Sequence, residues 1–285
     1  MKEIVVISGK GGTGKTFLTS SLAVIVQDKV ILDCDVDAAN MYLILKHDVI
    51  SEEDFSGAKK PVVDFDRCVK CGLCMELCRF KAIDEEVNIQ EELCEGCGLC
   101  ALACPQKAIK MVDEINGRVY RSKSKYGDFI YAKLGIAAEN SGKLVTLVRE
   151  IGYDTAFEEG KDLILADGPP GIGCPLIASL TGANLALVVT EPTYSGISDM
   201  CRVVEVAQHF NIRVGVVVNK YDLNLERTNE IIKYTQEMNF DFLGQIPFSE
   251  KIPKVITQGI PYVEVYEDGI SREIYKIWDR IRLMI

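Results

Sequence analysis

Two stretches of this chain carry side chains whose types and spacing can do chemistry. Gly9-Lys10-Gly11-Gly12-Thr13-Gly14-Lys15-Thr16 fits G-x-x-x-x-G-K-[ST]. In such a loop glycines let backbone N–H groups turn inward around phosphate oxygens. Lys15 then meets the β- and γ-phosphates, and the Thr16 hydroxyl completes the coordination of Mg2+. The second stretch holds two copies of one cassette, Cys68–Ile83 (CVKCGLCMELCRFKAI) and Cys94–Ile109 (CEGCGLCALACPQKAI), which agree at nine of sixteen positions. Such agreement reads as an internal duplication. Each copy is spaced C-x2-C-x2-C-x3-C, which suits iron–sulfur cubes, since every iron takes one terminal thiolate beside its bridging sulfides. Structural zinc fits less well, because it uses C-x2-C pairs separated by a longer loop.

The elements that must position these residues are legible around them. Glu3–Ser8 and Val30–Asp35 are continuous apolar runs, expected as buried parallel strands. Thr16–Val26 has helical spacing and follows the glycine loop, the strand–loop–helix order that a phosphate loop requires. After Ile50 the texture turns acidic and then cysteine-rich. Strand patterns return at Leu163–Asp167, Leu185–Thr190 and Val214–Asn219, with helical stretches at Gly196–His209 and Leu225–Met238. Alternating strands and helices imply right-handed βαβ units and a mostly parallel, doubly wound α/β sheet. The expected organisation is therefore an ATPase-type domain in two segments, 1–56 and 146–285. An inserted α+β iron–sulfur domain is expected at 57–145, with its cassettes at 68–109.

Composition narrows the setting. A chain of 285 residues with 48% hydrophobic content can bury a substantial core. Eleven cysteines in a chain this long, with no visible export segment, read as reduced metal-binding thiols in a cytoplasm. No apolar run reaches the ~20 residues that cross a bilayer. A formal charge of −10 disfavours a broad grip on nucleic acid.

The cassettes resemble those of bacterial two-cluster ferredoxins, in which the fourth cysteine of each run ligates the other run's cluster. That resemblance implies two [4Fe–4S] clusters, one on Cys68, Cys71, Cys74 and Cys104, the other on Cys94, Cys97, Cys100 and Cys78. The sequence departs from the pattern at Arg79, where the run after Cys104 has Pro105. An arginine there favours the more negative, reduced cluster and should raise its potential. The extra Lys10 makes the glycine loop resemble that of the deviant Walker A ATPases, which include MinD, ParA and the nitrogenase iron protein. The resemblance implies binding of ATP and ADP with Mg2+, slow hydrolysis, and a nucleotide-dependent homodimer in which Lys10 reaches the partner's nucleotide. It also implies that Asp35 positions the attacking water, that Asp167 holds Mg2+ through water, and that Asn219 and Pro247 meet the adenine. Asp33 and Asp37 are second ligands or polar strand ends, and Gly168-Pro169-Pro170-Gly171 resembles the second switch.

Cys34 and Cys201 read as packing residues. Cys174 follows the second switch and is either buried or a subunit-bridging thiol. The basic stretch Arg118 to Lys125 reads as a solvated face or a docking surface. Ile270, Ile274, Ile277 and Ile281 recur at helical spacing beside basic residues, as in a membrane-binding amphipathic helix, but a helix closing the sheet is favoured. Three functions stay open: assembly or delivery of metalloclusters to an apo-protein acceptor, ATP-gated electron transfer to a redox partner, and a regulatory or spatial switch with redox-sensing clusters. An amidotransferase is disfavoured, because His47 and His209 are the only histidines.

Overall fold

The computed structural model describes residues 1–135 and 140–285. They form two units, one of Met1–Glu53, Arg118–Leu134 and Ser141–Ile285, the other of Asp54–Gly117 and Gly135–Asn140. In chain order the strands are β1 (Lys2–Ser8), β2 (Lys29–Asp33), β3 (His47–Phe55), β4 (Ala58–Val63), β5 (Ile109–Glu114), β6 (Gly117–Ser124), β7 (Gly127–Leu134), β8 (Leu163–Pro170), β9 (Leu185–Thr190), β10 (Arg213–Asn219) and β11 (Asp241–Ile246). The helices are α1 (Lys15–Ile25), α2 (Met41–Ile44), α3 (Leu73–Leu77), α4 (Leu99–Ala103), α5 (Ser141–Glu158), α6 (Cys174–Leu180), α7 (Tyr194–His209), α8 (Leu225–Glu237), α9 (Lys251–Ile256), α10 (Tyr262–Val265) and α11 (Gly269–Arg282).

Nine strands of the larger unit make one sheet in the order β11-β10-β9-β1-β8-β2-β7-β6-β3. β1 pairs in parallel with β8 and β9, β10 with β9 and β11, and β2 with β7 and β8. Ile4, Val5, Val6 and Ile7 are wholly buried, which is why β1 reads as an apolar run rather than an alternation. β8 runs past Asp167 to include Pro169 and Pro170. Its pairing with β2 ends at Asp167, so the prolines fall where that side of the ladder needs no N–H donor. Helix α5 carries Gly152 against β2, where a Cβ would stand 2.6 Å from Leu32. In α11, Ile270, Ile274, Ile277 and Ile281 are buried in the core, so its apolar stripe covers this unit. No described helix is long and apolar enough to cross a membrane.

The expected insertion boundaries need correction on the C-terminal side. Arg118–Leu134 belongs to the large sheet as β6 and β7, and Ser141 already opens α5. Within β6, Val119 and Ser122 are buried while Arg118 and Lys123 are exposed, so the basic stretch is part of a sheet strand. Residues 136–139, which also fall within the expected 57–145, lie outside the described residues.

The smaller unit pairs β4 with β5 antiparallel, from Ala58 opposite Glu114 to Val63 opposite Ile109. Its two cassettes repeat each other in detail. Gly72 and Gly98, at φ 79° and 76°, each precede a five-residue helix, α3 and α4. Lys81 N donates to Cys78 O at 3.1 Å, and Lys107 N donates to Cys104 O at 3.0 Å. The sequence duplication is thus a duplication of backbone path.

Candidate functional site

The carboxyl ends of β1, β2, β8 and β10 converge on the glycine loop, which opens a cleft of about 580 Å³. Gly12 and Gly14 stand at φ 79° and 96°, a region that side chains resist, and α1 begins immediately after them. Lys15 Nζ lies 3.4 Å from Asp35 Oδ2 and 3.5 Å from Asp167 Oδ1. Thr16 Oγ1 donates to Asp167 Oδ2 at 2.7 Å, and Thr19 Oγ1 donates to Asp167 Oδ1 at 2.8 Å. Asp33 accepts the backbone N–H groups of Asp35, Asn40 and Met41, so it shapes the chain beyond β2.

Three buried carboxylates, Asp33, Asp35 and Asp167, therefore surround one ammonium. Burial alone would depress Lys15, but Asp167, Asp35 and Asp33 together hold its pKa above the ordinary lysine value. Burial pushes Asp35 up, and the nearby Lys15 offsets that only in part. Burial and the Asp167 charge also push Asp33 up. This surplus of negative charge beside the Thr16 hydroxyl suits a divalent cation. Thr13 Oγ1, in the same loop, is buried with no hydrogen-bond partner among the described residues.

Lys10 turns back on its own chain. Its Nζ lies 2.6 Å from Glu191 Oε1 and donates to Ser195 Oγ at 3.0 Å. Lys220 Nζ takes the other Glu191 oxygen at 3.1 Å. Burial acts to raise the Glu191 carboxyl, but bonds to Lys10 and Lys220 outweigh it and lower its pKa. Gly9 sits so close to Asp199 that a Cβ would stand 2.4 Å from that side chain.

Gly11 through Thr16, Asp35 and Asn219 all line the cleft, whereas Pro247 does not. Its neighbours Phe248 and Ser249 do, and Phe248 makes an apolar wall with Phe17, Ile252 and Ile256. Phe248, directly after Pro247, is half exposed and belongs to that lining. Sequence reasoning missed Thr19, Glu191, Ser195 and this wall. Thr19 lies one turn after Thr16, and Glu191 directly follows β9, where parallel sheets build their sites; both positions were a usable signal.

The smaller unit gathers the eight cassette cysteines into two quartets. Cys68, Cys71, Cys74 and Cys104 line one pocket, and Cys78, Cys94, Cys97 and Cys100 line the other. Each quartet takes three thiols from one cassette and the fourth from its twin. The crossing cysteines are held alike: Ala82 N donates to Cys78 Sγ and Ala108 N donates to Cys104 Sγ, both at 3.4 Å. Among the described residues no three His, Cys, Asp or Glu side chains gather as a site for a single ion. Cys34 is buried, Cys201 is half-buried, and Cys174 is exposed, which corrects its expected burial.

A glycine loop between a parallel strand and a helix, facing acidic residues at the ends of neighbouring strands, defines a nucleotide-binding α/β ATPase-type domain. The profile of the CobQ/CobB/MinD/ParA nucleotide binding domain (CbiA) matches residues 4–262, and the chain belongs to that family. A protein of Methanocaldococcus jannaschii with no assigned function is 33% identical over 287 residues, covering 99% of this chain and 97% of its own length. An iron–sulfur cluster carrier protein of the same organism is 27% identical over 152 residues, which is 49% of this chain and 52% of that protein. Among solved structures, the septum site-determining protein MinD of Pyrococcus horikoshii, complexed with Mg-ADP, superposes with a TM-score of 0.60. Its sequence identity is 18%, over 98% of this chain and 95% of that one. That likeness is one of fold.

Proposed function

We propose that this protein binds and slowly hydrolyses ATP with Mg2+, and that the nucleotide state gates electron transfer through two [4Fe–4S] clusters held by the smaller unit. The observation that carries the reading is the sorting of eight cysteines into two quartets, each completed from the opposite cassette. A cube held in this way is tied to both cassettes at once, so its release requires both to open; retention suits a carrier of electrons. When bound, such clusters supply one-electron redox chemistry. Cys78, Cys94, Cys97 and Cys100 would hold one, and Cys68, Cys71, Cys74 and Cys104 the other.

On the nucleotide side the chain's own groups divide the work. Lys15 meets the β- and γ-phosphates, and the Thr16 hydroxyl with Asp167 holds Mg2+. Asp35, at the cleft and linked to Lys15, orients the attacking water. Lys10 exchanges its bond to Glu191 for a phosphate of the partner's nucleotide in a homodimer. The Mg-ADP complex of the Pyrococcus protein supports the choice of ligand.

The test is an anaerobic EPR redox titration of the purified protein with ADP and with a non-hydrolysable ATP analogue. Two cubane signals whose potentials shift between the nucleotides are expected. By reciprocity, reduction would then change nucleotide affinity. Fixed potentials would reject gating, and absent cubane signals would reject the clusters. The similarity to an iron–sulfur cluster carrier favours a second reading, delivery of clusters to an apo-protein. Nucleotide-dependent transfer of iron to such an acceptor would support delivery in place of electron transfer.

A further inference from the structure

The chain passes between its two units four times, at 53–54, 117–118, 134–135 and 140–141. On the smaller unit's side, three of these passages are tied at one residue. Asn116 N donates to Phe55 O at 2.9 Å, Gly135 N donates to Asn116 O at 2.8 Å, and Gly57 N donates to Asn116 Oδ1 at 2.9 Å. Asn116 is buried, so water does not compete for these bonds. Gly57 is closely packed as well. A Cβ there would stand 2.6 Å from the Phe55 ring and 3.1 Å from Asn140 Cβ, beside the fourth passage.

On the larger unit's side, the third passage leads toward the cleft. Leu134, the last residue of β7, donates its N–H to Val36 O at 3.2 Å. Val36 is buried and directly follows Asp35, which lines the cleft. Before Asp35 stands Cys34, whose N–H donates to Asp167 O at 2.8 Å. Asp35 is therefore flanked by a bond to β8 and a bond to the end of β7. Leu134 and Gly135 are consecutive, so adjacent N–H groups of the chain reach Val36 and Asn116. The forces on Asp35 depend on what the cleft holds. Its carboxylate stands 3.4 Å from the Lys15 ammonium, for which an added phosphate competes. A γ-phosphate thus bears differently on Asp35 than a bound diphosphate does.

We propose that Val36, Leu134 and Asn116 form the link by which nucleotide state reaches the smaller unit. A change at Asp35 moves Val36, Leu134 follows through its bond, and the ties at Asn116 carry the change to Phe55 and Gly57. This inference rests on the reading of nucleotide-gated electron transfer and supplies its route. Asn116 does not line the cleft, so it is a positioning residue.

The experiment repeats the anaerobic EPR redox titration, with ADP and with a non-hydrolysable ATP analogue, on variants of the full chain. Insertion of Gly-Ser-Gly between Leu134 and Gly135 slackens the link. Asn116→Ala removes the acceptor for the Gly57 N–H. The control carries the same tripeptide between Gly160 and Lys161, in the turn after α5. All three should bind both nucleotides and show both cubane signals. The insertion at 134–135 should abolish the difference in potential between the two nucleotides, Asn116→Ala should lessen it, and the control should keep it. Retention of the full difference by either link variant would overturn the inference, as would its loss in the control. Should a link variant lose its cubane signals, hydrogen exchange of the unchanged chain decides without any substitution. The amides of Gly57 and Gly135 should exchange at different rates with ADP and with the analogue, and equal rates would overturn the inference. Potentials that are the same with both nucleotides in the unchanged chain would refute gating itself and not only its route.

Discussion

At the scale of single residues, Lys15 does two jobs. Its ammonium lies between Asp35 and Asp167 in a nearly closed site, with side-chain exposures of 7%, 12% and 1%. Removing it leaves buried carboxylates without a counter-charge. Lys15→Ala should therefore abolish nucleotide binding and also lower folding stability by about 3 kcal/mol, as urea unfolding would show. A variant with unchanged stability would contradict the charge arrangement. The carboxylates also give a pH dependence. Asp33 is raised from 3.8 to about 8 by burial and by Asp167. Between those values the folded chain keeps a proton that the unfolded chain has released, so stability falls as pH rises through the window. The melting temperature of the ligand-free protein should thus fall from about pH 6 to about pH 8, and the Mg2+ of bound Mg-ADP should lessen the fall by placing a cation beside the carboxylates. The loop, Asp35 and Asp167 were legible because their types and order are dictated by phosphate chemistry. Glu191 was not, since its partners Lys10 and Lys220 lie far away in the chain.

At the scale of elements, burial on both faces made β1, β2, β8, β9 and β10 visible as apolar runs. The pair β6 and β7 escaped differently: in β6 Arg118, Arg121 and Lys123 interrupt the apolar pattern, whereas β7 carries a buried run from Asp128 to Ala132 that was absorbed into the expected insertion. Helix α11 shows the reverse case. Its stripe of isoleucines and its basic residues fit either a membrane surface or a sheet, and packing settled which face it serves. Ile277 is wholly buried there. Ile277→Ala should cost about 2–4 kcal/mol in denaturant unfolding, the usual range for emptying such a site. A change within experimental error would mean that α11 does not close the core.

At the scale of the whole molecule, the two units differ in what holds them together. The larger has a core spread over a nine-stranded sheet and its helices. In the smaller, the buried apolar side chains among the described residues are Phe55, Pro61, Ala82, Ile83, Val87, Ala108 and Ile109. Seven such residues cannot offset the chain entropy of a unit that size, and small domains in that position rely on metals or other cross-links. Anaerobic extraction of iron should therefore open 54–117 to proteolysis while the nucleotide-binding unit keeps its helical circular dichroism signal. Equal protease resistance before and after extraction would argue against clusters as the staple.

The sequence by itself determined the chemistry available: a phosphate loop, carboxylates at strand ends, and eight thiols in two identical spacings. It could do so because ligand geometry demands particular residues at short, regular separations. Tertiary structure alone decided which distant groups meet. It set Glu191 between Lys10 and Lys220 and turned Asn219 toward the loop. Those pairings depend on how strands order themselves across a sheet, and spacing along a chain does not encode that order.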